Sequence, residues 1–271
     1  MLDAAVHAAR RAAEVIRANE GGLAAASWEE KSPSDFVSFV DRGAELRIAE
    51  ALASLVPEAR LLAEEATPDV ESLTRGIVFV ADPLDGTTNF LHGFPAYAVS
   101  IAALVDGELR AAAVLDVPRD ELFTAIAGEG AWCEGAPIAV STTTIPARAL
   151  IGTGFPFKHH HLIDPYVERL PPIMAGTAGI RRAGAAALDL AAVACGRFDA
   201  FWELQLAPWD MAAGLLLIRE AGGVVTGLRG ETAVVAHGGL VAGNPAMHAW
   251  LLDIVGHRTA STTTATPIAP S

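Results

Sequence analysis

Only two cysteines, Cys133 and Cys195, occur among the 271 residues, and they stand far apart. Neither a zinc site nor a redox pair can be built from that spacing, so both read as reduced, mostly buried thiols. Basic residues are also scarce, with 19 Lys and Arg against 32 Asp and Glu and a formal net charge of −13. That balance points away from nucleic acid or an anionic membrane as a partner, because both are held through basic patches. Long apolar runs are missing: those such as residues 215–218 and their neighbours fall well short of the roughly 18 residues a membrane span needs. The chain starts with Asp3 and the pair Arg10 and Arg11 inside an amphipathic pattern, unlike a secretory leader, so a cytoplasmic location is expected. A glycine-rich phosphate loop ending in Gly-Lys-Ser or Gly-Lys-Thr is absent, as is a Gly-x-Ser-x-Gly elbow. These gaps count against nucleotide hydrolysis and acyl transfer. No internal repeat is visible.

What is abundant is apolar residue, at 52% enough to fill the core of one large domain or of two packed halves. Leu2, Val6, Ala9, Ala13 and Ile16 fall at helical spacing over residues 2–19, and a second helical pattern runs over 45–55 before Pro57. Two helices are thus expected ahead of the first strand. Residues 77–81 form a short apolar run, which reads as a buried strand ending in Asp82. Runs at 97–105, 108–117 and 121–127, separated by Asp106-Gly107 and Pro118-Arg119-Asp120, read as an antiparallel meander. Thr142, Thr143, Thr144 and Pro146 mark a joint between halves. Beyond it, helix patterns at 185–195 and 211–221 flank a strand pattern at 198–204, and each helix stops at glycine. The mixture implies a layered α/β or α+β protein. Residues 1–141 are expected to form one half with the chemistry-bearing loop and 142–258 the other, with 259–271 a disordered tail.

The most informative segment is Asp82-Pro83-Leu84-Asp85-Gly86-Thr87-Thr88-Asn89-Phe90. It sets two carboxylates three residues apart where a buried strand becomes a loop. Hard divalent cations such as Mg²⁺ take oxygen ligands, commonly one or two carboxylates with water and substrate phosphate. Pro83 stiffens the turn, Gly86 permits close backbone approach, and Thr87 and Thr88 open a short helix whose free N–H groups suit phosphate oxygens. Further carboxylates stand at Glu64-Glu65 and Trp209-Asp210. By themselves, adjacent glutamates read as a solvated helix end, and Asp210 as an acid placed for the helix dipole.

Taken together, the segments resemble the inositol monophosphatase family of metal-dependent phosphatases across nearly the whole chain. The likeness lies in Lys31-Ser32-Pro33-Ser34-Asp35 with Asp41 downstream, Glu64-Glu65, residues 82–90, Gly152-Thr153-Gly154-Phe155-Pro156, and residues 182–223. It implies an α+β layered sandwich with alternating α/β/α/β/α layers. It also implies Mg²⁺ held by Glu64, Asp82, the carbonyl of Leu84, Asp85 and Asp210. Glu64, Asp41 and Thr87 would orient the attacking water; Asp85, Gly86, Thr87 and Glu203 would contact substrate. The implied reaction is hydrolysis of a small phosphate monoester, with myo-inositol 1-phosphate first and histidinol phosphate or a sugar bisphosphate as alternatives. A non-catalytic binding protein on the same fold is the reading from another class. Lithium sensitivity, a homodimer and a small phosphorylated polyol as partner follow from the likeness, with no role for nucleic acid or membrane. Two departures stand out: Ala185 after Gly184, where a Ser or Thr is usual, and Phe39-Val40 before Asp41. The run Lys158-His159-His160-His161 reads as an exposed loop without a catalytic role.

Overall fold

Small side chains set the first layer. In α1 (Leu2–Arg17) the residues Ala4, Ala5, Ala8, Ala9, Ala12, Ala13 and Ile16 are buried, and this run of methyl groups lets a second helix lie close along it. That helix, α2 (Phe39–Leu55), is started by Ser38, whose Oγ accepts from Val40 N at 3.1 Å while Asp41 accepts from Ser38 N at 2.8 Å. Its first turn is therefore fixed at Phe39, not at the expected Glu45. The computed structural model describes residues 1–21, 29–32, 35–65 and 73–256. Between the helices, β1 (Glu29–Ser32) pairs antiparallel with β2 (Asp35–Val37), which corrects the expectation that two helices precede any strand. The segment at 31–35 lies partly outside the described residues, and the tail at 259–271 lies wholly outside them.

A seven-stranded sheet follows in chain order: β3 (Arg60–Ala63), β4 (Ile77–Asp85), β5 (Ala98–Val105), β6 (Glu108–Asp116), β7 (Glu121–Ile126), β8 (Gly130–Cys133) and β9 (Ala136–Pro137). Only β3 and β4 pair parallel. The meander runs as expected, and Asp106 and Gly107 turn it with φ of 50° and 84°, the left-handed pair that a tight hairpin needs. Glu64 and Glu65 follow a strand and do not end a helix, because Leu61 and Leu62 extend beside β4. After β4 comes the short helix α3 (Thr87–Leu91).

The chain leaves this sheet after Pro137 and enters a second at β10 (Leu150–Thr153). There follow α4 (Ile163–Gly176), β11 (Gly179–Arg181), α5 (Ala186–Ala194), β12 (Ala200–Leu206), α6 (Pro208–Glu220), β13 (Val224–Gly227), β14 (Gly238–Gly243) and α7 (Pro245–Gly256). The strands lie in the order β11-β10-β12-β14-β13.

Strand parity sorts the core into layers. Val78 and Val80 pack with Leu190 of α5 and Leu215 of α6, whereas Phe79 and Ala81 pack with Ala5 of α1 and Ile48 of α2. In the second sheet Phe201 and Ala242 face α5 and α6, while Ala200, Trp202 and Val241 meet Ile173 of α4 and Leu251 of α7. The order is α1–α2, seven-stranded sheet, α5–α6, five-stranded sheet, α4–α7, which is the expected α+β sandwich. Both faces of β4 are covered, which is why its sequence is continuously apolar. The middle layer is tight: a Cβ on Gly214 of α6 would sit 2.5 Å from Leu190 Cβ of α5. No helix among the described residues is long and apolar enough to cross a membrane.

Candidate active site

A regular strand would turn residues three apart to opposite faces. Asp82 and Asp85 escape this because the register of β4 against β5 shifts between them, with Asp82 opposite Ser100 and Asp85 opposite Ala98. Both then line one cavity of about 480 Å³, together with Glu64, Thr87, Glu203 and Asp210. Asp82 accepts from Leu84 N at 2.9 Å. Asp85 crosses to the middle layer, where its Oδ2 accepts from Ala187 N in the first turn of α5 at 2.7 Å. Asp210, at the start of α6, accepts from Ala207 N at 2.7 Å. Glu64, just past β3, lies 3.9 Å from Lys158 Nζ.

Gly86 begins α3 with φ of 91°, and a Cβ there would meet Ala96 O at 2.8 Å, so only glycine fits the turn. Thr87 Oγ1 follows, 2.8 Å from Asp41 Oδ1 and 3.1 Å from Leu84 O. Asp41 does not line the cavity; it stands behind Thr87, with its Oδ2 accepting from both N and Oγ of Ser38. Asn89 Nδ2 donates to Ala96 O at 2.7 Å and to Ala183 O at 2.9 Å, so α3 is fastened to the segment before α5. Glu203 projects from β12 beside Gly154, where any side chain would collide with its carboxylate. Ala185 packs against Gly86 and lines the same cavity.

The carboxylates oppose one another. Burial, and then the charges of Glu64, Asp85 and Asp210, hold the Asp82 carboxyl well above its usual range, against the one backbone hydrogen bond that favours its charge. Burial and Asp210 push Asp85 up to about 7, opposed by the N–H groups of Ala187 and Ala186 and by Lys158. Glu203 is raised by burial, Asp210 and Asp189. Among the described residues no three acidic, His or Cys side chains converge on a single ion position; the acids share a cavity, not a closed cage. Oxygen donors whose mutual repulsion is only partly offset are nonetheless the donor set that a hard divalent cation suits.

Several cavity residues carried no signal that sequence reasoning used. Lys158, His160 and His161 are exposed as expected and His159 is half-buried, but Lys158 and His159 also line the cavity. Arg182 lies over the rings of Phe155 and Phe157, 5.4 and 5.0 Å from their centroids. Asp189, buried in α5, also lines the cavity. A lone acid in the alanine and leucine run 186–194 was the signal that could have found it.

Comparison with known proteins extends the picture. Nus factor SuhB of Pseudomonas aeruginosa is 47% identical over 248 residues, 90% of this chain and 91% of that protein. The crystal structure of extragenic suppressor protein suhB from Bartonella henselae has a TM-score of 0.87 at 40% identity, covering 93% of this chain and 97% of its own. An IMPase/NADP phosphatase complexed with Mg²⁺ and phosphate has a TM-score of 0.76 at 26% identity, over 86% of this chain and 87% of that one. The name Nus factor overturns one expectation. Net charge pointed away from nucleic acid as a partner, and relatives this similar bearing that name remove the exclusion. A charge of −13 is a sum over the whole chain and does not fix the character of any one surface. The family profile of inositol monophosphatases matches residues 1–259, end to end with the layers and the acid-lined cavity, and the chain belongs to the inositol monophosphatase family.

Proposed function

We propose that the protein is a Mg²⁺-dependent phosphatase that hydrolyses a small phosphate monoester, with myo-inositol 1-phosphate as the leading substrate. The observation that carries this reading is the cavity into which Glu64, Asp82, Asp85 and Asp210 bring mutually repelling carboxylates, the middle two buried and the outer two half-buried, from the edge of the seven-stranded sheet and the start of α6. Alone, such a site would repel a phosphate; with a divalent cation it attracts one. The solved relative complexed with Mg²⁺ and phosphate supports the choice of ion.

In this reading Glu64, Asp82, the Leu84 carbonyl, Asp85 and Asp210 hold magnesium, drawn from the halves 1–141 and 142–258. Bound there, the ion makes nearby water more acidic and offsets negative charge on the phosphate and the leaving oxygen. The chain's own residues align the attack. Asp41 is fixed by two donors from Ser38 and takes the Thr87 hydroxyl proton in a hydrogen bond, which leaves a Thr87 lone pair to accept from a water. Glu64 contributes to aiming the same water. Asp85, Gly86 and Thr87 border the phosphate, and Glu203 faces a hydroxyl of the alcohol. Water attacks directly, without a covalent enzyme intermediate. The same reading places the enzyme in the cytoplasm as a homodimer inhibited by lithium.

The test is phosphate release, with and without Mg²⁺, from inositol 1-phosphate, histidinol phosphate, fructose 1,6-bisphosphate and adenosine 3′,5′-bisphosphate in parallel. Preference for the inositol ester supports the proposal. Preference for histidinol phosphate keeps the chemistry and changes the substrate, and silence on all four refutes the enzyme.

A second reading rests on the name that the similar relatives carry. In it the chain acts as a Nus factor, and phosphate release is dispensable. Expression of wild type and Asp82→Asn in a strain lacking its own Nus factor SuhB separates the two: equal rescue shows a role independent of turnover.

A further inference from the structure

Beyond the acids assigned to magnesium, the cavity holds a polar group that the proposed chemistry leaves unused. Asp189 is only 2% exposed. Its carboxylate lines the cavity yet makes no hydrogen bond among the described residues. Buried carboxylates are ordinarily satisfied, because leaving one unpaired costs several times the worth of an average hydrogen bond. Among the described residues only Trp202 Nε1 is both sealed from solvent and without a partner, so the Asp189 carboxylate opens on the cavity and meets what enters it.

Its surroundings indicate what would satisfy it. Glu203 lines the same cavity and, among the described residues, also accepts no hydrogen bond. Arg182, held over Phe155 and Phe157, points guanidinium donors into that space without an ion pair among the described residues. Two carboxylates disfavour a second anion at this end, and the guanidinium disfavours an ammonium. Neutral hydroxyls suit both, since each donates to a carboxylate and accepts from an arginine. A volume near 480 Å³ accommodates a six-carbon polyol with its phosphate at the metal-ligand end.

We propose that Asp189 is a specificity-determining residue that accepts a hydrogen bond from a hydroxyl of the substrate's alcohol portion, opposite Glu203 and beside Arg182. The assignment rests on the phosphatase reading and narrows its substrate class to esters of neutral polyols with several hydroxyls.

The experiment compares wild type, Asp189→Asn and Asp189→Ala as full-length chains on inositol 1-phosphate and on 4-nitrophenyl phosphate, which has no hydroxyl to offer. Thermal unfolding of each is followed alongside. Asp189→Ala is expected to raise KM for the inositol ester about 10- to 100-fold, the loss of one charged hydrogen bond, while leaving the nitrophenyl ester unchanged. Asp189→Asn, which keeps one acceptor, should fall between. Neither variant should melt below wild type, because the carboxylate makes no hydrogen bond within the fold that the substitution would remove. Equal losses on both esters together with a lowered melting temperature would show a structural role and overturn the assignment, and so would unchanged kinetics on both. Wild type inert on both esters would instead refute the phosphatase reading, and this assignment would fall with it.

Discussion

The contact at Gly214 offers the sharpest test of how the middle layer holds the site together. A Cβ added there would lie 2.5 Å from Leu190 Cβ, well inside the 3.5–4.0 Å of a favourable carbon contact. Because the clash reaches Leu190 Cβ itself, a rotamer change cannot relieve it, and α5 and α6 must part by about 1 Å. Overpacking of this kind costs roughly 1–3 kcal/mol. Replacing glycine by alanine inside a helix returns up to about 1 kcal/mol of propensity. Gly214→Ala should therefore lose up to about 2 kcal/mol net. For a chain of this size that lowers Tm by up to roughly 8 °C. Differential scanning calorimetry in excess Mg²⁺ reads the shift directly. The paired control is Leu190→Ala, which costs about 2–5 kcal/mol alone by leaving a cavity. In that background Gly214→Ala should cost less but still destabilise, since the Leu190 Cδ1 and Cγ atoms it strikes are gone while the Cβ at 2.5 Å remains. The separation of α5 from α6 should also raise the Mg²⁺ concentration needed for half-maximal turnover, because α5 anchors Asp85 and α6 starts at Asp210. A Gly214→Ala protein that melts above wild type, with Leu190 intact, would refute the packing argument.

Asp82→Asn and Asp210→Asn should each keep the circular dichroism of wild type, lose most turnover and bind Mg²⁺ more weakly; near-normal turnover with an unchanged Mg²⁺ dependence would contradict the ligand assignment. Thr87→Val should lower kcat by about 100-fold with little change in KM, and Thr87→Ser should recover much of it. Steady-state kinetics that show a loss in KM alone would remove Thr87 from the water-orienting role. Burial and the neighbouring Glu121 carboxylate push the Cys133 thiol up to about 12. The folded chain thus keeps a proton that the unfolded chain releases above about pH 8.5. Its contribution to stability is full below that pH and is lost as pH climbs towards the folded value. At pH 8.5 alkylation of Cys133 by iodoacetamide should accordingly run roughly a thousandfold slower in the folded protein than in the unfolded one, which mass spectrometry of timed samples can check.

Legibility of the fold followed the physics of each element. The run before Asp82 was readable because β4 is covered on both faces, and the meander because Asp-Gly has few other uses between apolar runs. The start of α2 was missed although Ser38 and Asp41 stand at capping distance in the sequence, since Phe39 and Val40 between them look like strand residues. Helix α4 escaped notice because Pro171 and Pro172 lie inside it, where proline ordinarily ends a helix. The short strands β10 and β11 pair parallel over three residues each, too few for periodicity to register. Within the site, the acids were legible through a family pattern. Their convergence was implied by that pattern and by the turn after the buried strand, but its means, the register shift of β4, was not, since no spacing rule announces it. Asp189 and Arg182 became visible only when side chains from the two sheets were seen around one space.

Three of the site's acids also hold up the architecture. Asp41 secures the start of α2, Asp210 the start of α6, and Asp85 the start of α5 on the far side of the cavity. Under the proposed function each position therefore answers to two selective demands at once. A descendant that abandoned turnover would still be held to these acids by the folding of its helices, and would go on looking like an enzyme in sequence long after it ceased to be one. Retention of Asp41, Asp85 and Asp210 in a relative would thus measure descent of the scaffold. The acids that report on catalysis without that second obligation are better sought at Glu203 and Asp189, where among the described residues no backbone amide depends on the carboxylate.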